Sequence, residues 1–205
     1  MRWFSVALLA FACAGASSAA NYYACDCQSG AEPGCQAGND ANAGTSPSTP
    51  WRSFERLAEA SQGSACGDSF NLCEGGIFEA SGSTHDFAIA ADCSSAPRML
   101  RSYDPGNRQN RPRIEISAIS TLINVGGFQA GPATRGFTIQ GLDLRHRVPS
   151  ANSRGMYVNR GARNVVIEDV VFDGFGVCLE AGPLLSQTIT RNSTFRRCAA
   201  HGVIG

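Results

Sequence analysis

The sequence predicts an all-β fold: a right-handed parallel β-helix, built as a stack of short-stranded coils and closed at its N-terminal end by one helix. Three observations predict it. Three segments align without gaps: Phe137-Thr-Ile-Gln-Gly-Leu-Asp-Leu144, Val165-Val-Ile-Glu-Asp-Val-Val-Phe172 and Thr188-Ile-Thr-Arg-Asn-Ser-Thr-Phe195. Leu144 and Phe172 stand 28 residues apart, and Phe172 and Phe195 stand 23 apart; a period in the twenties marks a solenoid rather than a sandwich. Each segment is followed by a short strand opened by glycine: Gly155-Met-Tyr-Val158, Gly176-Val-Cys-Leu179 and Gly202-Val-Ile204. Finally, one amphipathic helix precedes the strand-rich part, and the first coil of a stacked sheet needs its apolar end covered.

Residues 1–20 read as an export signal. Arg2 gives a positive start, Phe4 to Cys13 is an apolar run too short to span a bilayer, and Ser18-Ala19-Ala20 places small residues before a cut after Ala20. Ala10-Phe11-Ala12 lacks the aliphatic residue expected three before a lipid-bearing Cys13. This segment stands apart from the fold, and the chain is expected to be secreted or periplasmic. No later stretch is apolar and long enough for a membrane span. The remainder can hold one core.

The 17 basic and 17 acidic residues cancel, which argues against a nucleic-acid binder that neutralises phosphates. All 17 basic residues are arginine, so no lysine can act as a base here. Once Cys13 leaves with the signal, eight of the 9 cysteines remain, and export favours disulfides. Cys25, Cys27, Cys35, Cys66, Cys73 and Cys93 crowd the first part, too many for spacing to fix the pairing. Zinc on Cys25-Asp26-Cys27 with Cys35 is the weaker alternative, because the spacing is not a two-by-two pattern.

Residues 21–49 form a Cys- and Gly-rich segment, and 50–205 hold the capping helix and the coils. Tyr22-Tyr23 reads as a first strand. Gly38-Asn39-Asp40-Ala41-Asn42-Ala43-Gly44-Thr45 is turn chemistry; its Asp-x-Asn spacing lacks the distal acid of a calcium loop. The helix is expected from Pro50 to about Gln62, with Thr49 as cap and Trp51, Phe54, Leu57, Ala58 and Ser61 on its buried face. Strands follow at Phe70–Leu72, Ile77-Phe78, Met99–Tyr103, Ile114–Ile116 and Leu122–Val125, with a proline-bearing loop from Asp104 to Pro112. The last aligned strand runs to Gly205 without a closing element, so the chain is expected to be part of a longer stack.

On the run Gly38 to Thr45, on Pro50-Trp51-Arg52-Ser53-Phe54, and on Gly67-Asp68-Ser69-Phe70-Asn71-Leu72-Cys73-Glu74-Gly75-Gly76-Ile77-Phe78, the chain resembles secreted right-handed parallel β-helix proteins of the pectate-lyase-like superfamily. Arg111-Pro112-Arg113-Ile114 and the three repeats extend the likeness over roughly residues 38–205. The resemblance implies a carbohydrate partner lying along one sheet. It implies a polysaccharide lyase acting on uronate glycans by β-elimination, or less strongly a glycoside hydrolase. The competing class is a non-catalytic extracellular module that binds glycans or other partners.

The glycine-opened strands suggest the groove. If Met156, Val158, Val177, Leu179 and Val203 face inward, then Tyr157, Asn159, Cys178 and Glu180 face outward. Asn159 and Glu180 then share a rung, and an amide oxygen beside a carboxylate is half of a calcium site of the sort the family's lyases use. Arg154, Arg160 and His201 are the base candidates near it. Glu168, Asp169 and Asp173 are expected on a different sheet from Glu180, so they form no hydrolase pair with it. Cys178 and Cys198 are either bridged or separate thiols. Asn192-Ser193-Thr194 fits a glycosylation acceptor, but Asn192 reads as a turn residue.

Overall fold

The computed structural model describes residues 18–81, 84–87, 92–106, 110–118, 120–126, 134–159, 161–182 and 188–199, and the backbone of 203–204. Arg160, His201, Gly202 and most of the export signal lie outside the described residues.

The fold is mainly β, and every strand pairing is parallel. One sheet joins β1 (Asn21–Ala24), β2 (Ser69–Cys73), β5 (Arg98–Tyr103), β8 (Arg135–Gln140), β10 (Arg163–Glu168) and β12 (Thr188–Arg191), in that order. The second runs from β3 (Ile77–Glu79) through β6 (Arg113–Ile116), β9 (Asp143–Val158) and β11 (Val171–Ala181) to β13 (Thr194–Arg196). On this second sheet β7 (Thr121–Val125) joins β4 (His85–Phe87) to β9, and β14 (Val203–Ile204) pairs with β11.

Each aligned repeat straddles a bend between the two sheets. The gapless alignment is the structural register: Phe137 and Thr188 flank Val165, Ile139 and Thr190 flank Ile167, and Leu144 and Phe195 flank Phe172. The bend needs a left-handed residue, and the same repeat column supplies it with Gly141 (φ 70°), Asp169 (φ 55°) and Asn192 (φ 51°). Glycine, Asp and Asn are the types that tolerate that conformation, so the turn reading of Asn192 holds. Phe137, Ile139, Leu144, Val165, Ile167 and Phe172 are fully buried and form rows that run from strand to strand between the sheets. The rings of Phe172 and Phe195 stack 5.1 Å apart.

The helix α1 is shorter than expected, Phe54–Gln62, and its cap is Ser53, whose hydroxyl accepts from Arg56 N. Thr49 and Pro50 do not open it, because Trp51 is held as strand. Trp51 N donates to Tyr23 O, Cys25 N donates to Trp51 O, and Trp51 bridges Ala24 in parallel. The Trp51 indole N–H donates to Asn42 O, and its ring stacks on Tyr22, which stacks on Phe70. Asp40 Oδ1 accepts from the backbone N–H groups of Arg52 and Ser53, so the turn aims the helix start. Phe54, Leu57, Ala58 and Ser61 form the buried face, with Phe54 against His85 and Phe87 of β4.

Glu55, on the polar side of the helix by its spacing, reaches back to the sheet. Its Oε1 lies 3.4 Å from Nε2 of the buried His85 and accepts from Ser81 N. Burial pushes the Glu55 carboxyl up, but the contact with the His85 ring and the hydrogen bond from Ser81 N outweigh it and hold the group at about 2, below the ordinary 4.5. A carboxyl with a depressed folded pKa adds stability above its unfolded pKa and loses it as pH falls toward the folded one. We therefore expect the unfolding midpoint of the wild type to fall from pH 4.5 to 2 more steeply than that of Glu55→Gln, by thermal melts across that window. Parallel curves would place the helix anchor elsewhere.

The eight described cysteines form four disulfides: Cys25–Cys73, Cys27–Cys35, Cys66–Cys93 and Cys178–Cys198. The sulfurs of Cys25, Cys27 and Cys35 cluster, but two disulfides consume them, so no thiolate is available for zinc. No helix among the described residues is long and apolar enough to cross a membrane.

Candidate functional site

The glycine-opened strands are not on one rung. The structure pairs Leu179 with Met156, Glu180 with Tyr157 and Ala181 with Val158, two residues away from the alignment of Gly155 with Gly176. The reason is that β9 carries extra residues. Relative to β11, three are inserted between Arg145 and Ser150 and two between Ser150 and Arg154, which accounts for the longer repeat. Each glycine marks its own close approach. A Cβ at Gly155 would lie 2.6 Å from Cys178 O, and one at Gly176 would lie 2.0 Å from Ala151 O. Two expected orientations fail as well: Cys178 is fully buried and bonded to Cys198, while Val177 is half-buried.

The shift also separates the expected calcium pair. Asn159 lies beyond the last paired residue of β9, where its N–H donates to Val125 O. Glu180 faces Tyr157 instead, and its carboxylate is ion-paired with Arg154. One carboxylate already held by a guanidinium is a poor calcium ligand set, so the Asn159–Glu180 rung is withdrawn.

The register produces a different constellation. Asp86, Asn124, Tyr157 and Glu180 stand on successive strands β4, β7, β9 and β11, about 4.8 Å apart per step. The rows on either side, through Ile123, Met156 and Leu179 and through Val125 and Val158, are buried. Asn124 Nδ2 donates to Asp86 Oδ1 at 2.6 Å. A neighbouring row sets Thr121 beside Arg154, the partner of Val177. Thr121, Arg154, Tyr157 and Glu180 line a cleft of about 200 Å³, where a cation, a carboxylate, a phenol and a hydroxyl meet. The Arg154 side chain is 48% exposed and Glu180 27%, so the ion pair is accessible to a ligand.

Of the expected site residues, the structure therefore unites Arg154 with Glu180, leaves Asn159 apart, and does not describe Arg160 or His201. The contributions of Asp86, Asn124 and Thr121 were missed. Their signal was the apolar alternation of His85-Asp-Phe87 and Leu122-Ile-Asn-Val125, which is visible only once these strands are matched to β9.

Asp173 is on β11, the same strand as Glu180, contrary to expectation, because β11 runs unbroken from Val171 to Ala181. Glu168 lies in the other sheet and Asp169 at the bend. None is paired with Glu180: Asp173 accepts from Arg197 at 2.6 Å, Glu168 is bridged by Arg191 at 2.9 Å, and Asp169 is held by Arg111.

A second cleft, of about 250 Å³, is lined by Glu32, Asn110, Arg111, Arg113, Asp143 and Arg145. Its charges are closed on one another. Arg111 is held by Asp169, Arg113 by Glu115 and Arg145 by Asp143, and the Asn110 amide is bonded to Glu32. Its two carboxylates, Glu32 and Asp143, are engaged by Asn110 and Arg145, and among the described residues it has no phenol like that of Tyr157 in the Arg154 cleft.

Comparison with protein-family models, with curated proteins and with solved structures finds no match.

Proposed function

We propose that this chain is an exported, carbohydrate-active right-handed parallel β-helix protein that acts on uronate-containing polysaccharides as a lyase. The observation that carries the reading is the row of Asp86, Asn124, Tyr157 and Glu180 with Arg154 beside it, a polar track crossing four parallel strands. Asn124 is buried and holds Asp86 in place; the carboxylates of Asp86 and Glu180, the Tyr157 phenol and the Arg154 guanidinium are the groups that exchange hydrogen bonds with the hydroxyls of an extended sugar chain. Parallel pairing throughout, a repeat register that matches the strand register, and a helix packed at the N-terminal side support the β-helix reading. Four disulfides support export.

In β-elimination a base removes the C5 proton of the uronate. The C–H electron pair becomes the C4–C5 double bond, the C4–O bond to the next sugar breaks, and the departing oxygen takes a proton. Negative charge develops at the uronate carboxyl as the proton leaves, and a guanidinium beside it stabilises that charge. Arg154 is the cation placed for this, exchanging Glu180 for the substrate carboxylate. Tyr157, as its phenolate, takes the C5 proton, and the phenol so formed gives a proton to the departing oxygen.

The test is the ultraviolet absorbance of unsaturated uronate products on a panel of alginate, pectate and glycosaminoglycans, with and without chelator. We expect a rise on at least one substrate that persists in chelator. Absence of any rise removes the lyase reading, and hydrolysis without absorbance points to a glycoside hydrolase. One observation favours the non-catalytic alternative: Arg154 already has its carboxylate in Glu180, which suits a site that recognises a glycan and leaves it intact. Glycan retention without cleavage decides for that reading.

A further inference from the structure

We infer that the export signal is removed between Ala19 and Ala20, so that the mature protein begins at Ala20 with its α-ammonium paired to the buried carboxylate of Asp68. The inference rests on the export reading above. Small residues stand at several places in the signal's final stretch, so that cuts after Ala16, Ala19 and Ala20 all satisfy the small-residue rule. The folded protein distinguishes them.

Ala20 is part of the fold. Its N donates to Asp68 Oδ1 at 2.8 Å, and its carbonyl accepts from Ser69 N at 2.9 Å, one step ahead of the β1–β2 pairing that begins with Asn21 and Ser69. A cut after Ala20 would remove both bonds and leave Ser69, 1% exposed, without its acceptor. Ala19, by contrast, is exposed.

The second observation is the state of Asp68. It is 3% exposed, and its other oxygen accepts from Ala65 N at 2.8 Å. No cation among the described residues forms an ion pair with it. The fully buried Arg98 attracts it, but the Arg98 guanidinium instead donates to Ser64 Oγ, and its Nε and Nη2 have no partner. A buried carboxylate calls for a cation in contact. Hydrolysis of the Ala19–Ala20 bond supplies one where a neutral N–H stood. Water adds at the Ala19 carbonyl, the C–N bond breaks, Ala19 leaves as a carboxylate, and the Ala20 nitrogen takes both protons of the water to become an ammonium beside Asp68.

The chain has no lysine, so the α-amine is its one primary amine, and an amine-acylating reagent reads it alone. The full chain, with its own signal, is expressed in an export-competent bacterium and the exported protein is examined by intact mass. The expected mass is that of residues 20–205. The folded protein should then acylate at least tenfold more slowly than the unfolded one, and Asp68→Asn should abolish that protection. A mass beginning at Asn21, or at any residue before Ala20, overturns the inference, and so does equal acylation of folded and unfolded protein. An uncut chain retained in the cytoplasm overturns the export reading and the inference together. The position of the cut and its absence are thus separate readouts.

Discussion

Tyr157→Phe is expected to lower turnover on the responsive uronate polysaccharide by about 10²–10⁴-fold, the range in which a positioned proton-transfer group contributes, while the affinity for the uncleaved glycan changes little. The substitution removes one oxygen and keeps the ring. Tyr157 lies between Asn124 and Glu180 on its row and shares the cleft with Arg154 and Thr121. It follows the buried Met156 and precedes the buried Val158, which fix the backbone that carries the ring. A role in glycan contact alone would raise KM and leave kcat intact, so the split between the two constants separates chemistry from binding. Unchanged kcat with Tyr157→Phe would remove the tyrosine from the reaction. If Arg154→Ala in the same protein then raised KM alone, the cleft would be a recognition site.

How much of this was legible in the sequence depends on which contacts fix each element. The repeat segments were readable because three coils repeat the same local requirement: inward apolar residues on alternate positions and one residue able to adopt a left-handed bend, met by Gly141, Asp169 and Asn192. Local chemistry decides such features, and the strand register followed from it. The start of the helix was misread because Pro50 and Trp51 suit a first helical turn locally, whereas the Trp51 backbone is captured by β1, much earlier in the chain, and the Pro50 carbonyl by Asn39 and Asn42. The rung of Asn159 and Glu180 failed for a related reason. Glycine at 155 and 176 looked like one repeat feature, but each is required by a different nearby carbonyl, and the bulges of β9 had already changed the count. Insertions that leave the apolar alternation intact at both ends are invisible to a pattern anchored on single glycines. The missed Asp86 and Asn124 belong to strands of three and five residues, too short to declare a face until β9 gives them a partner.

The largest expected loss of stability comes from opening Cys25–Cys73. The two residues are 48 apart in sequence, and the chain-entropy cost that the bond removes from the unfolded state is about 4 kcal/mol for a loop of that size. For a chain of this length, that corresponds to a fall in Tm of about 10 °C. The bond matters beyond its entropy because of where it lies. β1 ends its sheet, with β2 on one side and only the Trp51 bridge on the other among the described residues, so the disulfide at the end of the β1–β2 pairing holds the edge that carries Trp51 and, through it, the start of α1. Both cysteines are buried, at 3% and 0% exposure; replacement by alanine avoids placing hydroxyls there. The same loop argument orders the other three bonds, since Cys66–Cys93 closes 27 residues, Cys178–Cys198 closes 20 and Cys27–Cys35 closes 8. Denaturant unfolding of the four double-alanine variants should therefore show the greatest loss at Cys25/Cys73 and the smallest at Cys27/Cys35. The reverse order would mean that the eight-residue loop is held for a reason other than chain entropy. The nearest such reason on the structure is Asp26, between the two disulfides, which accepts from Cys27 N and Gln28 Nε2 and is bridged to Arg52 at the entrance to the helix.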